Sequence, residues 1–172
     1  MCHSERIPAE RSIFVSYAHE DRKVLEGLRK PLSLIERKFG VQLVWDDYNI
    51  HVGDEWEREI WIYLTHTPLA ILLVSQDFAA SDYIQTIELR TLLKRHSRGE
   101  VTLLPVMVGS VDLDLIGLSG FQTIPPPECP LKSLVGFKRE KCYADLAKQV
   151  QEILMQLLAA SSTIDATRLE AH

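Results

Sequence analysis

Several kinds of chemistry are ruled out by what this chain lacks. Its three cysteines, Cys2, Cys129 and Cys142, are too few and too scattered for a disulfide framework or a zinc site. Its six histidines include no His-Glu-x-x-His pair or other ligand spacing, so no metal is expected. Basic residues (19) are outnumbered by acidic ones (24), and the net charge of −5 leaves no basic stripe to follow a phosphate backbone. Nucleic acid is therefore not expected as a direct partner. No apolar run approaches the roughly 20 residues that cross a bilayer, and Met1 to Arg11 has charges where a signal peptide needs a hydrophobic segment. The expectation is a cytoplasmic chain with no membrane partner. No Gly-x-Gly-x-x-Gly turn follows any strand, which removes the dinucleotide dehydrogenases.

What is present suits one globular domain, because 46% of the 172 residues are apolar and 25% are charged. We expect a polar extension over 1–10, the domain over 11–158 and a polar tail or linker over 159–172. Ser12 to Tyr17, Val41 to Trp45, Leu69 to Val74 and Val101 to Val108 read as buried strands, with a short fifth at Phe121 to Ile124 stopped by three prolines. Between the first two, Leu25, Leu28, Leu32, Ile35 and Phe39 recur at helical spacing up to Gly40, with Pro31 expected to bend or interrupt the helix. Asp54, three residues before Glu57, has capping-box spacing. Further helices are predicted from about Ser81 to His96 and from Tyr143 to Leu157. Strands that are apolar throughout, alternating with amphipathic helices, give an α/β fold with a parallel sheet covered on both faces. Such sheets bind ligands beyond the carboxyl ends of their strands.

Glu88 is the residue that calls for a chemical explanation. It lies four residues after Ile84 and four before Leu92, about 40° from each on an α-helix, so a carboxylate interrupts an apolar stripe. No Lys or Arg stands at i±4 to pair with it.

Several segments, in this order, resemble a TIR (Toll/interleukin-1 receptor-like) domain over roughly Arg11 to Leu158. Ile13-Phe14-Val15-Ser16-Tyr17 resembles the opening strand, and Asp46, Ile50 and Gly53 resemble the loop after the second. Ser75 to Ile84 followed by Glu88 resembles the exit of the third strand and the helix bearing the family's catalytic glutamate, and Leu104-Pro105-Val106 resembles the fourth strand. The resemblance implies a flavodoxin-like five-stranded parallel sheet in the order 2-1-3-4-5. It also implies either of two activities, an NAD-cleaving effector of bacterial type or an adaptor working by homotypic self-association.

For the enzyme, the resemblance makes Glu88 the catalytic residue, with Tyr17, Ala18, His19, Asp46, Trp56 and Tyr83 binding the substrate. NAD is then a substrate, and no cofactor is required. Nicotinamide leaves as a neutral molecule from a pyridinium, so one carboxylate stabilising positive charge on the ribose is enough chemistry. An aromatic ring from Trp56 or Tyr83 would suit the flat cationic base. Catalytic relatives often have Trp four residues before the glutamate; here that position is Ile84, and Tyr83, one residue further back, would be turned about 100° away on an α-helix. Such proteins are toxic effectors in antiphage defence, so completion of the pocket by a neighbouring subunit would keep the isolated domain quiet. Any sensor domain or partner protein lies outside these residues.

Blander readings stand beside these. Ser16 and Tyr17 read as strand-end residues whose hydroxyls bond local backbone. Asp46 and Asp47 can simply start a turn, Trp56 can be core, and His19 can be a solvated loop residue. A phosphoacceptor receiver domain shares the fold but needs an Asp ending the third strand and a Lys ending a late one, whereas Ser75 and Pro125 hold those places.

Overall fold

A computed structural model describes residues 8–45 and 54–169, with residues 54–57, 59 and 161–169 described by backbone alone. The order of elements is β1 (Ser12–Tyr17), α1 (Arg22–Phe39), β2 (Gln42–Trp45), α2 (Asp54–His66), β3 (Leu69–Val74), α3 (Gln76–Ala80), a π-helical turn (Ile84–Leu89), α4 (Arg90–His96), β4 (Thr102–Met107) and α5 (Gly136–Leu169). The strands pair in parallel in the order β2-β1-β3-β4. All six residues of β1 and of β3 are buried, as expected for strands covered on both faces.

Pleating sends alternate residues to two separate cores. Ile13, Val15, Leu69, Ile71, Leu104 and Val106 meet α1 and α5 on one face. Phe14, Ala70, Leu72, Val74, Leu103 and Met107 meet α2, α3 and the helix around Glu88 on the other. At the α1–α5 contact Gly27 is tightly covered, since a methyl there would sit 2.7 Å from the Tyr143 hydroxyl oxygen. On the opposite face, the buried Arg95 donates to Leu64 O and Glu100 O, both at 3.0 Å, tying the end of α2 to the turn before β4.

Three expectations need correction. Among the described residues the sheet has four strands, because the proposed fifth contributes only Ile124, which donates to Pro105 O and accepts from Met107 N, both at 3.1 Å. Pro125 has no N–H with which to continue that ladder. Pro31 does not interrupt α1. Leu25, Leu28, Leu32 and Ile35 are buried on both sides of it, and at about 1.5–3 kcal/mol each they outweigh the ~3 kcal/mol cost of an interior proline. The helix ends at Gly40 in the left-handed conformation (φ 61°), as its sequence predicts. Finally, the segment from Ser81 to His96 is not one α-helix, since its central turn is π-helical. The backbone of α5 continues to Leu169, through a stretch with no glycine or proline to stop it.

Candidate functional site

The carboxyl ends of β1 and β3 open into a cavity of about 430 Å³, within the ~300–1,000 Å³ usual for small-molecule sites. Tyr17, Ala18, His19 and Glu20 form one wall, where the chain leaves β1 in a tight turn over His19–Asp21. Asp77, Ala80 and Ser81 form the opposite wall, and Tyr83, Ile84 and Glu88 close it from the helix. Five of the residues expected to handle substrate, Tyr17, Ala18, His19, Tyr83 and Glu88, therefore line one cavity. Asp46 lies outside the described residues, as does the side chain of Trp56. Glu20, Asp77 and Ser81 were missed, because polar residues in short turns and a five-residue helix carry no periodicity to mark them.

Glu88 is 1% exposed. Its neighbours Ile84 and Leu92 are buried too, so the apolar stripe read from the sequence is real. Ser16 Oγ donates a hydrogen bond to Glu88 Oε2. This corrects the local-backbone reading of Ser16, whose partner lies 72 residues along the chain. The reason is pleating: Ser16 follows Phe14 on the face toward the Glu88 helix, while Tyr17 points into the opposite core. A carboxylate among hydrocarbon side chains needs such a donor, because burying it unpaired is costly.

The π-helical turn changes the relation between Tyr83 and Glu88. Hydrogen bonding from i to i+5 fits an extra residue into the turn, so residues five apart diverge less than they would on an α-helix. Tyr83 precedes Glu88 by five. Tyr83, Ile84 and Glu88 all line the cavity.

Behind the cavity walls is a second polar cluster. Asp21 is buried, takes a hydrogen bond from Ser75 Oγ on Oδ2, and pairs with Lys132 Nζ at 2.8 Å through Oδ1. Its contact with Asp21, above all, raises the Lys132 pKa against a desolvation cost, and the charges of Asp77 and Glu20 add to the rise. Ser75 also caps α3 by accepting from Phe78 N at 3.1 Å. The receiver reading is thus partly revised: a lysine does reach this edge, from beyond Pro125, but Ser75 still stands where the phosphoacceptor would be. Among the described residues no group of three or more His, Cys, Asp or Glu is arranged to hold a metal, and no helix is long and apolar enough to cross a membrane.

The family model described as TIR domain matches residues 13–126. An uncharacterised protein, y4lF, of Sinorhizobium fredii is 30% identical over 141 residues, covering 82% of this chain and 43% of its own length. The 2′ cyclic ADP-D-ribose synthase AbTIR of Acinetobacter baumannii is 29% identical over 97 residues, covering 56% of this chain and 35% of its own length. The chain thus spans less than half the length of either curated relative. Among solved structures, the TIR domains of the activated Roq1 resistosome, which directly recognises the pathogen effector XopQ, align over 84% of this chain and 81% of that one, with a TM-score of 0.44 and 19% identity.

Proposed function

The chain belongs to the TIR-domain family, and from that premise and the chemistry of its cavity we infer that it cleaves NAD at the bond between nicotinamide and ribose. The observation that carries this reading is the Glu88 carboxylate, buried at the cavity and held by the Ser16 hydroxyl. The electron pair of the breaking bond goes to the pyridinium nitrogen, so nicotinamide departs neutral and positive charge grows on the ribose carbon. A carboxylate fixed beside that carbon stabilises the charge without reorganising, and does so more strongly in a site that excludes water. Tyr83 supplies an aromatic face for the cationic base, and Tyr17, Ala18 and His19 border the sugar.

The sugar carbon is then captured by water, giving linear ADP-ribose, or by one of the molecule's own hydroxyls, giving a ring. The name of the Acinetobacter baumannii relative favours the cyclised product. Asp46 and Trp56, which the family resemblance implies as substrate-binding residues, keep that role in this proposal. Homotypic assembly switches the activity on, in keeping with a defence or cell-death effector. Release of nicotinamide, followed across protein concentrations, tests the reading. Glu88→Gln is expected to lose about 10²–10³-fold in turnover, the usual effect of removing a charge-stabilising group. Equal turnover by both proteins would remove Glu88 from the mechanism, and self-association with no turnover at any concentration would leave the adaptor activity.

A further inference from the structure

Three stretches of chain that are distant in sequence meet behind the cavity walls, at the buried carboxylate of Asp21. Asp21 closes the turn bearing His19 and Glu20, and its amide donates to Ala18 O at 2.8 Å. Ser75 ends β3, caps the helix bearing Asp77 and donates to Asp21. Lys132 arrives from the segment after β4, anchored by its own amide to Val108 O at 3.0 Å, while Val108 N donates to Val74 O at 2.8 Å. The contacts thus form a closed ring around the carboxyl ends of β1, β3 and β4.

We propose that Lys132 is a positioning residue of the nucleotide pocket, fixing through Asp21 the wall that carries His19 and Glu20 and, through Asp21 and Ser75, the wall that carries Asp77. This rests on the reading of the cavity as an NAD site. Lys132 does not line the cavity, and its side chain is about half exposed (49%), whereas that of Asp21 is fully buried (0%). A buried carboxylate keeps its place only while its charge is matched. The Ser75 hydroxyl provides for one oxygen, and the Lys132 ammonium supplies both the partner of the other and the balancing charge. Without that ammonium, the Asp21 carboxylate turns toward water. That change moves the His19–Asp21 turn and frees the Ser75 hydroxyl from the geometry in which it caps α3.

The test compares the full chain with Lys132→Met, which keeps the length of the stem without its charge, with Lys132→Arg, and with Lys148→Met on α5 as a control. Hydrogen exchange at the Asp21 and Phe78 amides reads the walls directly. In Lys132→Met both should exchange roughly tenfold faster while amides of β3 stay protected, and KM for NAD should rise by about the same factor with kcat nearly unchanged. Lys132→Arg should restore both readouts, and Lys148→Met should alter neither. If Lys132→Met folds poorly, Asp21→Asn with Lys132→Met removes both charges, keeps an acceptor for Ser75 and should recover the slow exchange. Wild-type exchange at both amides in Lys132→Met would overturn the proposal, as would faster exchange with KM unmoved. Failure of the wild-type protein to bind or cleave NAD would sink the reading of the cavity instead, and the exchange rates would still decide whether Lys132 holds the walls.

Discussion

The sheet's two faces draw on the same strands, yet they differ where those strands end. On the face toward α1 and α5, Ile13, Val15 and Tyr17 succeed one another into an apolar core. On the other face Phe14 is followed by Ser16, whose hydroxyl meets Glu88. Moving one residue along β1 thus exchanges an apolar contact for a hydrogen-bonded carboxylate. The first face is apolar at these positions, while the second gives up some apolar contact to hold a carboxylate at the cavity.

Mutations can break or sharpen this contrast, beginning with the dry face. Leu32→Ala should cost about 2–5 kcal/mol by urea unfolding, as truncations in tight cores do, with NAD binding by the folded fraction unchanged. A smaller loss, near 1–3 kcal/mol, is expected for Ser16→Ala, because Glu88 gives up its hydroxyl partner in a buried setting. Adding Glu88→Leu to Ser16→Ala should return most of that stability, since replacing a buried polar pair with apolar groups is often neutral or better. A double variant as unstable as Ser16→Ala alone would mean that Glu88 serves the fold as much as the site. The smallest effect belongs to the Lys132–Asp21 pair. The folded pKa of Lys132 is raised, so its contribution is complete below the unfolded value of about 10.4 and fades as pH rises through the folded one. Unfolding midpoints of wild type and Lys132→Met should therefore differ at neutral pH and converge only in strong alkali.

Much of this was legible in the sequence. The four strands are largely apolar runs, α1 announces itself by spacing and ends at its glycine, and Glu88 stood out as a charge on an apolar stripe. Each of those signals is local. The Ser16–Glu88 bond was not legible, because it depends on the register that brings β1 beside the Glu88 helix. Nor was the arrival of Lys132, which depends on the path of the irregular chain between β4 and α5. The fifth strand looked plausible because Phe121 to Ile124 has the composition of one, but only Ile124 finds partners. The wide turn left no trace either: no glycine or proline marks Ile84 to Leu89, and an apolar stripe looks similar whether the turn holds four residues or five.

That turn also bears on how such sites are recognised. An extra residue in an ordinary helix rotates everything beyond it, so an insertion between an aromatic ring and its glutamate should be fatal to a shared pocket. Here the turn is wide, and Tyr83 and Glu88 both line the cavity although they stand five residues apart. A pattern that demands a fixed interval between the two passes over a chain built this way. The quantity shared is the wall of the cavity, and a pattern that allows one gap inside that turn keeps Tyr83 and Glu88 together.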